Sequence, residues 1–366
     1  MVEGAAGGTA GGAAGGKAGG GPELVPVLAN HRFDEAALAR YLAPLVPGFD
    51  GSGAGFAIRQ FQGGQSNPTF HLATPAGDYV LRKKPPGTLM ASAHAVEREY
   101  RVMLALAGTE VPVPRMRLLC EDPGVIGTAF YVMDYQPGRI YADRAMPGVS
   151  PADRTAAYAD MARVLARLHA VDPASVGLAD FGRSGLYVAR QIERWTRQYR
   201  AAQLKPEPAM DRLIDWLSAH LPAADETAIA HGDYRLGNLI LDAVEPRVAA
   251  VLDWELSTLG HPLADLAYCC MPWRLPPAQM GLLGLEVPGL PDEAAFVAAY
   301  CAAAGRPVPD TLDYFMVFSL FRWAAIVAGV YRRALDGNAA DATRAADAGS
   351  RFRLLAQCAW AIALRA

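Results

Sequence analysis

The chain has 366 residues, of which 52% are hydrophobic, and a formal net charge of −3. This length and hydrophobic content can form one large domain or two lobes with a substantial core. The near-neutral charge, without a basic stripe, disfavours a nucleic-acid partner. The five cysteines show neither C-x-x-C pairs nor zinc-type spacing, so they are predicted to be reduced core residues of a cytoplasmic protein.

The first 21 residues are almost all Gly and Ala. A segment of this composition buries too little side chain to offset its ordering entropy, so residues 1–21 are predicted to form a disordered leader. They lack the basic start and the continuous apolar core of a secretion signal. Gly11–Lys17 matches the start of a phosphate-binding P-loop, but Ala18 replaces the required Ser or Thr and no strand precedes it. We interpret this match as chance.

The part of the chain from Pro22 to Tyr135 shows mostly strand-like runs. In chain order, the predicted elements are a helix over 33–45, strands over 56–61, 69–74 and 79–82, a helix over 91–106, and two strands that end at Tyr135. Asp34 is predicted to cap the first helix. A Gly-rich turn over residues 62–68 separates the first two strands, and the third strand ends in a basic run.

From Gln136 onward the chain is predicted to be mainly helical. The predicted helices cover residues 156–170, 190–203, 211–220, 292–303, 312–336 and 339–365. Arg322 interrupts the apolar run Phe315–Tyr331, which favours a buried helix over a membrane span, and no membrane partner is expected. His169, at the end of the first of these helices, is interpreted as a structural residue rather than a ligand.

The clearest chemical signal lies in residues 231–238, which read H-G-D-Y-R-L-G-N. Two apolar strands follow, and the turn signal Glu245-Pro246 between them predicts a hairpin that ends at Asp253. The Asp233 carboxylate can orient an attacking hydroxyl and accept its proton, whereas Asn238 and Asp253 offer hard oxygen ligands suited to Mg²⁺. The pattern therefore predicts phosphoryl transfer.

These motifs resemble the catalytic loop and the metal-binding Asp of protein kinases, H-R-D-x-x-x-x-N followed by D-F-G. Two departures, Gly232 in place of the Arg and Asp253-Trp254-Glu255 in place of D-F-G, resemble the aminoglycoside phosphotransferase and choline kinase branch. The pattern continues through G-H-P-L-A-D-L-A at residues 260–267. In this longer form it is similar to the phosphotransferase-like domains found beside or fused to acyl-CoA dehydrogenases. The resemblance extends over nearly the whole chain after the Gly-rich leader.

This resemblance implies a two-lobed, protein-kinase-like fold of the α+β class. A small strand-rich N-lobe, residues 22–135, would bind the nucleotide. A large helical C-lobe, residues 136–366, would carry the catalytic loop and the substrate site. ATP would lie in the cleft between the two lobes.

The resemblance also implies the contacts to ATP. The Gly-rich turn would place N–H groups over the phosphates, and a cation on the next strand would bind the same phosphates. An acid on the following helix would hold that cation, and backbone groups before Gln136 would bind adenine. The implied residues are Gly63, Gly64, Ser66, Asn67, Arg82, Lys84, Glu99, Met133, Asp134 and Tyr135. The alignment favours Arg82 as the clamp and leaves Lys83 and Lys84 open as phosphate contacts.

In the catalytic loop, the resemblance implies that Asp233 is the base and that Asn238 and Asp253 hold Mg²⁺. Arg235, two residues after the base, falls where many kinases carry a Lys near the γ-phosphate. The supporting residues are His231, Glu255 and Asp265. Of these, Glu255 either reaches a second metal or caps a turn.

The acceptor is predicted from charge and from the resemblance. After Leu266, eight acidic residues stand against nine arginines, so this part lacks the negative excess that a polycationic aminoglycoside favours. Apolar residues around 271–285 either line a pocket for an acyl chain or belong to the core. We predict ATP- and Mg-dependent transfer to a hydroxyl of a small molecule, a hydroxyacyl-CoA-like compound rather than an aminoglycoside. The alternatives are a non-catalytic nucleotide-binding pseudokinase and a partner module for an acyl-CoA dehydrogenase.

Overall fold

The computed structural model describes residues 23–53, 55–62, 67–85, 94–203, 205–223, 225–335 and 342–366. Contacts divide the chain into a first unit, Met1–Val164 with Arg235–Ser257, and a second unit, Leu165–Tyr234 with Thr258–Ala366. The predicted leader and the predicted phosphate contacts Gly63, Gly64 and Ser66 lie outside the described residues. The predicted boundaries of the N-lobe and the C-lobe stay predictions.

The described residues form short strands and longer helices. The strands are β1 (Leu24–Val25), β2 (Ala57–Phe61), β3 (Thr69–Thr74), β4 (Gly77–Lys83), β5 (Met116–Cys120), β6 (Phe130–Asp134), β7 (Ala228–Ala230), β8 (Leu239–Leu241), β9 (Val248–Val251) and β10 (Thr258–Gly260). The helices are α1 (Glu35–Leu42), α2 (Val96–Leu106), α3 (Pro123–Ile126), α4 (Pro151–Ala170), α5 (Tyr187–Ala202), α6 (Pro208–Ala219), α7 (Pro262–Cys270), α8 (Glu293–Ala304), α9 (Leu312–Arg333) and α10 (Ala342–Ala363). The predicted α+β class is confirmed.

An antiparallel sheet with the order β1-β2-β3-β4-β6-β5 forms the main part of the first unit. Side chains alternate between the two faces of a strand, so Phe70 on β3 and Leu81 on β4 can share one face with Leu38 of α1 in a common core. The helix α1 begins where its cap dictates, because the Asp34 carboxylate accepts the Ala37 N–H at 2.8 Å. The prediction that Asp34 caps this helix is confirmed.

The predicted hairpin in the first unit is also confirmed. The strands β8 and β9 pair antiparallel, with Leu239 opposite Val251. The Asp242 carboxylate accepts the N–H groups of Val244 and Glu245 at 2.9 and 3.1 Å and so stabilises the turn between the strands. The hairpin therefore starts directly after the predicted metal ligand at 238 and ends just before the one at 253.

The helix α9 is the central core element of the second unit. It packs against α5, α6, α7 and α10. Among the described residues it is the one helix long and apolar enough to cross a membrane, and 67% of its apolar window is buried inside the protein. Burial of Phe315, Phe318 and Phe321 matches the predicted core helix. The short pair of β7 and β10, which the sequence pattern did not predict, leads into the loop at 231.

Candidate active site

Arg82 is the central cation of the candidate site in the first unit. Its guanidinium contacts three carboxylates, those of Glu99 at 2.9 Å, Asp253 at 3.3 Å and Glu255 at 3.7 Å. Burial lowers the pKa of Arg82, but the neighbouring carboxylates, Glu99 first, raise it overall. Because these three carboxylates share one guanidinium, the cluster carries negative charge that suits a divalent cation.

Glu99 is the buried anchor of this cluster. It lies on α2 with 1% of its surface exposed, and Asn67 and Tyr131 donate hydrogen bonds to it at 2.8 and 3.2 Å. Burial raises the pKa of Glu99, and the charge of Arg82 opposes that rise. The predicted pairing acid therefore does hold Arg82, whereas the Asn67 side chain, predicted to face phosphate, is buried behind Glu99.

The other two cations of β4 have different partners. The Lys83 side chain is buried, and its Nζ lies 5.7 Å from the centre of the Phe33 ring. The Lys84 ammonium lies 2.6 Å from Glu97 Oε1. Of the three cations left open by the sequence, Arg82 is the one that lines the cavity of the first unit.

That cavity has a volume of about 270 Å³. Its lining combines apolar side chains, such as Val80, Met103 and Met133, with the polar side chains of Asn238 and Asp253. Apolar walls with a few well-placed polar groups are typical of small-molecule sites. The cavity is therefore the candidate nucleotide pocket.

The segment predicted to bind adenine lines the same cavity. Met133, Asp134 and Tyr135 all contribute to its walls. The N–H of Asp134 donates to the Arg115 carbonyl at 2.9 Å, and the N–H of Tyr135 donates to the Asp78 carbonyl at 3.0 Å. These two N–H groups already have backbone partners, so neither is open to a base beside this segment.

The two predicted metal ligands are held together by backbone. The Leu252 N–H donates to the Asn238 carbonyl at 2.8 Å, and Asp253 follows directly. Asp253 has φ 65° and ψ 62°, a left-handed conformation that is uncommon outside glycine and is found preferentially at functional positions. One amide oxygen and one carboxylate suit Mg²⁺, which takes few protein ligands and completes its shell with waters and phosphate oxygens.

The loop that carries Asp233 is braced in the second unit. The buried Asp265 carboxylate accepts the N–H groups of His231 and Gly232 at 2.6 and 2.9 Å. Burial raises the pKa of Asp265, but His169, 3.4 Å away, and the backbone donors lower it overall. The His231 ring in turn accepts the Asp233 N–H at 3.2 Å. Two of the three predicted supporting residues, His231 and Asp265, therefore hydrogen-bond the backbone of the loop.

Two further side chains act on this loop, and the sequence interpretation missed their role. The Tyr268 hydroxyl donates to Asp233 Oδ1, and Arg322 Nη2 donates to the Gly232 carbonyl at 3.3 Å. Two signals could have pointed to them. Arg322 is a lone charge in an apolar helix, and Tyr268 lies one helical turn after Asp265 on α7.

Two more predicted residues, Glu255 and Arg235, lie in the first unit. Glu255 stands in the turn after β9, and its Oε2 is the most distant of the three oxygens around Arg82, at 3.7 Å. Arg235 lies over Gly237, where a Cβ would come within 2.5 Å of Arg235 Nη1. The role of Glu255, toward a second metal or as a turn cap, and the role of Arg235 near the γ-phosphate stay predictions.

The chain offers a matched pair of variants for the predicted clamp. We expect Glu99→Gln to weaken ATP binding about 10-fold or more, because a hydrogen-bonded charge pair contributes about 1.5–3 kcal/mol and Arg82 would lose its anchor. Glu97→Gln should leave ATP affinity unchanged, since Glu97 holds Lys84. Isothermal titration with ATP and Mg²⁺ measures both variants, and equal losses would contradict the assignment of Glu99.

The chain matches the profile of the phosphotransferase enzyme family (APH) over residues 57–315. A candidate aminoglycoside phosphotransferase of Ralstonia eutropha JMP134, known from its crystal structure, is 49% identical, with a TM-score of 0.83 over 91% of this chain and 99% of that chain. Acyl-CoA dehydrogenase family member 10 of Mus musculus is 46% identical over 349 residues, which are 94% of this chain and 32% of that protein. The chain spans less than half the length of the curated relatives it matches.

Two more distant crystal structures share the fold. Choline kinase from Cryptosporidium parvum Iowa II is 13% identical with a TM-score of 0.60, over 89% of this chain and 95% of that chain. A thermostable mutant of aminoglycoside phosphotransferase APH(4)-Ia, in complex with AMP-PNP and hygromycin B, is 14% identical with a TM-score of 0.57, over 88% and 98% of the two chains.

The fold and the comparisons together define a phosphotransferase with a kinase-like fold. This chain belongs to the phosphotransferase enzyme family. The resemblance to the aminoglycoside phosphotransferase and choline kinase branch, and the predicted kinase-like fold, are confirmed.

Proposed function

We propose that this phosphotransferase uses ATP with Mg²⁺ and transfers the γ-phosphoryl group to a hydroxyl of a small molecule. The observation that carries the proposal is the cluster in the first unit, in which Arg82, anchored by Glu99, lines one cavity with Asn238 and Asp253. A held cation beside hard oxygen donors suits a metal-bound polyphosphate. The AMP-PNP complex of the distant APH(4)-Ia structure supports a nucleotide as the donor.

The residues divide the chemistry between them. Arg82 and Arg235 neutralise phosphate oxygens, and Asn238 and Asp253 hold Mg²⁺. When bound, Mg²⁺ offsets the charge that develops on the transferred group. The Asp233 carboxylate accepts the proton of the acceptor hydroxyl while the new oxygen–phosphorus bond forms and the bond from the γ-phosphorus to ADP breaks.

The proposed acceptor is a neutral or anionic hydroxyl compound, with a hydroxyacyl-CoA ester preferred over an aminoglycoside. The relatives named as acyl-CoA dehydrogenase family members support this choice by analogy. The balanced charge of the chain after Leu266 supports it as well, because a polycation favours an acidic site.

The cytoplasmic location stays a prediction.

A panel of acceptors tests the proposal. Aminoglycosides, choline-like amines, sugars and hydroxyacyl-CoA esters are incubated with ATP and Mg²⁺, and ADP release is followed above the background without acceptor. We expect the hydroxyacyl-CoA esters to give the highest kcat/KM. Aminoglycoside turnover at about 10⁴ M⁻¹s⁻¹ or above would overturn the proposed acceptor.

Absence of turnover across the whole panel would favour the two non-catalytic alternatives. A pseudokinase would bind ATP without releasing ADP. A partner module would retain an acyl-CoA dehydrogenase in a pull-down, and comparison with and without ATP shows whether the nucleotide controls that contact.

A further inference from the structure

The side chains around Asp233 in the second unit are aromatic and cationic. Tyr268, on α7, hydrogen-bonds the Asp233 carboxylate. The guanidinium carbon of Arg322, on α9, lies 5.9 Å from the centre of the Tyr268 ring and 5.7 Å from that of the Trp195 ring. Its Nη2 also donates to the carbonyl of Gly232, the residue before Asp233. A positive charge is therefore fixed beside the proposed catalytic base.

Among the described residues, these contacts use only part of the hydrogen-bonding capacity of Arg322. A guanidinium carries five N–H donors, and the Gly232 carbonyl takes one of them at 3.3 Å. Within the part of the chain that the structure describes, Arg322 forms no ion pair with a carboxylate. An arginine that rests on aromatic faces without an acidic partner keeps its charge available for an anion.

A second arginine adds to this charge. Arg194 on α5 is exposed, and its guanidinium carbon lies 5.2 Å from the centre of the same Trp195 ring. Partial desolvation of its guanidinium, and then the charge of Arg322, lower the pKa of Arg194. The two guanidinium groups therefore repel each other, and an anion bound near them would relieve that repulsion.

Two nearby acids already have other partners. The Asp265 carboxylate is buried and occupied by His169 and by the N–H of His231. Glu193, next to Arg194 in the sequence, points to Arg197, with 4.0 Å between the charged atoms, and both of these side chains are largely exposed. Neither acid is placed to neutralise the pair of arginines around Trp195.

We propose that Arg322, supported by Arg194, binds an anionic group of the acceptor, a carboxylate or a phosphate, and so selects anionic hydroxyl compounds over polycations. This inference rests on the proposed function, in which Asp233 meets the acceptor hydroxyl. The planar guanidinium matches the two oxygens of a carboxylate or phosphate. Tyr268 contacts both Asp233 and Arg322. The residue proposed to meet the acceptor hydroxyl and the residue proposed to bind its anionic group are therefore held by the same side chain.

Titration of the full chain, saturated with AMP-PNP and Mg²⁺, tests this site. The probes are 3-hydroxyoctanoate, 3-hydroxyoctanoyl-CoA and the neutral 3-hydroxyoctanamide. We expect the wild type to bind at least one anionic probe about 10-fold tighter than the amide. Arg322→Gln should lose about 10- to 100-fold of the anionic affinity and leave the amide unchanged, because a charge-assisted hydrogen bond contributes that much. The affinity of Arg322→Lys for the anionic probes should lie between those of the wild type and of Arg322→Gln.

Arg333→Gln is the matched control, because Arg333 lies on the same helix, is exposed, and should leave all three affinities unchanged. If Arg322 only supports the loop through the Gly232 carbonyl, Arg322→Gln should lower the affinities for all three probes equally. That result would overturn the proposal. So does a wild type that binds no anionic probe tighter than the amide. The acid and the CoA ester distinguish a carboxylate from a phosphate as the anion.

ADP release from ATP with the same probes separates this inference from the proposed function. Selective binding of an anionic probe without ADP release would support the anion site and contradict phosphoryl transfer to these compounds. ADP release with the amide at the same kcat/KM as with the anionic probes would retain the transferase and overturn the role of Arg322.

Discussion

Asp233→Asn is expected to lower the rate of phosphoryl transfer about 10²- to 10⁴-fold while the protein stays folded and still binds ATP. Asn is nearly isosteric with Asp, and its side-chain oxygen can still accept the Tyr268 hydroxyl. It cannot take the proton of the acceptor or present a negative charge to it. ADP release with the best acceptor of the panel measures the rate, and thermal unfolding measures the fold.

The matched control is Asp215→Asn, which removes an exposed carboxylate on α6. It should change neither the rate nor the melting temperature, since an exposed side chain without special contacts contributes little. A wild-type rate in Asp233→Asn would show that this residue is not the base. A large drop in its melting temperature would show instead that the carboxylate mainly supports the loop.

The elements that carry the site could be predicted from local patterns. The strand β3 covers the predicted residues 69–74, and the turn signal at Glu245-Pro246 marks the hairpin that ends before Asp253. Alternation, caps and turn residues act over a few neighbouring positions, so a single sequence displays them. The motif at 231–238 could be located in the same way, because its residues are close in the chain.

The contacts between distant segments could not be predicted from such patterns. Arg82 meets Asp253, a partner 171 residues away, and Tyr268 meets Asp233, 35 residues away. A helical or strand period predicts which face a side chain occupies and not which side chain it meets. The sequence alone therefore left three cations open on β4, and only the packing separates Arg82 from Lys83 and Lys84.

Asp253→Asn should remove most of the stabilisation that ATP with Mg²⁺ gives the wild type. At a ligand concentration 100 times Kd, binding stabilises the folded state by about 2.7 kcal/mol, and a 100-fold loss of affinity would reduce that to about 0.4 kcal/mol. Asn is the appropriate substitution because it tolerates the left-handed backbone of this position, φ 65°, whereas Ala would add strain. Thermal unfolding with and without the ligand measures the difference.

Chelation of the metal separates the observed contact of Asp253 with Arg82 from its proposed role as a metal ligand. Asp253 lies 3.3 Å from Arg82, so its loss could weaken binding by loosening the clamp rather than by removing a metal ligand. With ATP and EDTA no metal is bound, so the loss of a metal ligand cannot weaken ATP binding. Asp253→Asn should then bind ATP at least as tightly as the wild type, because one negative charge fewer faces the phosphates. If the substitution instead displaces Arg82, ATP binding should weaken as much with EDTA as with Mg²⁺. Equal losses under both conditions would therefore assign Asp253 to Arg82 and not to the metal.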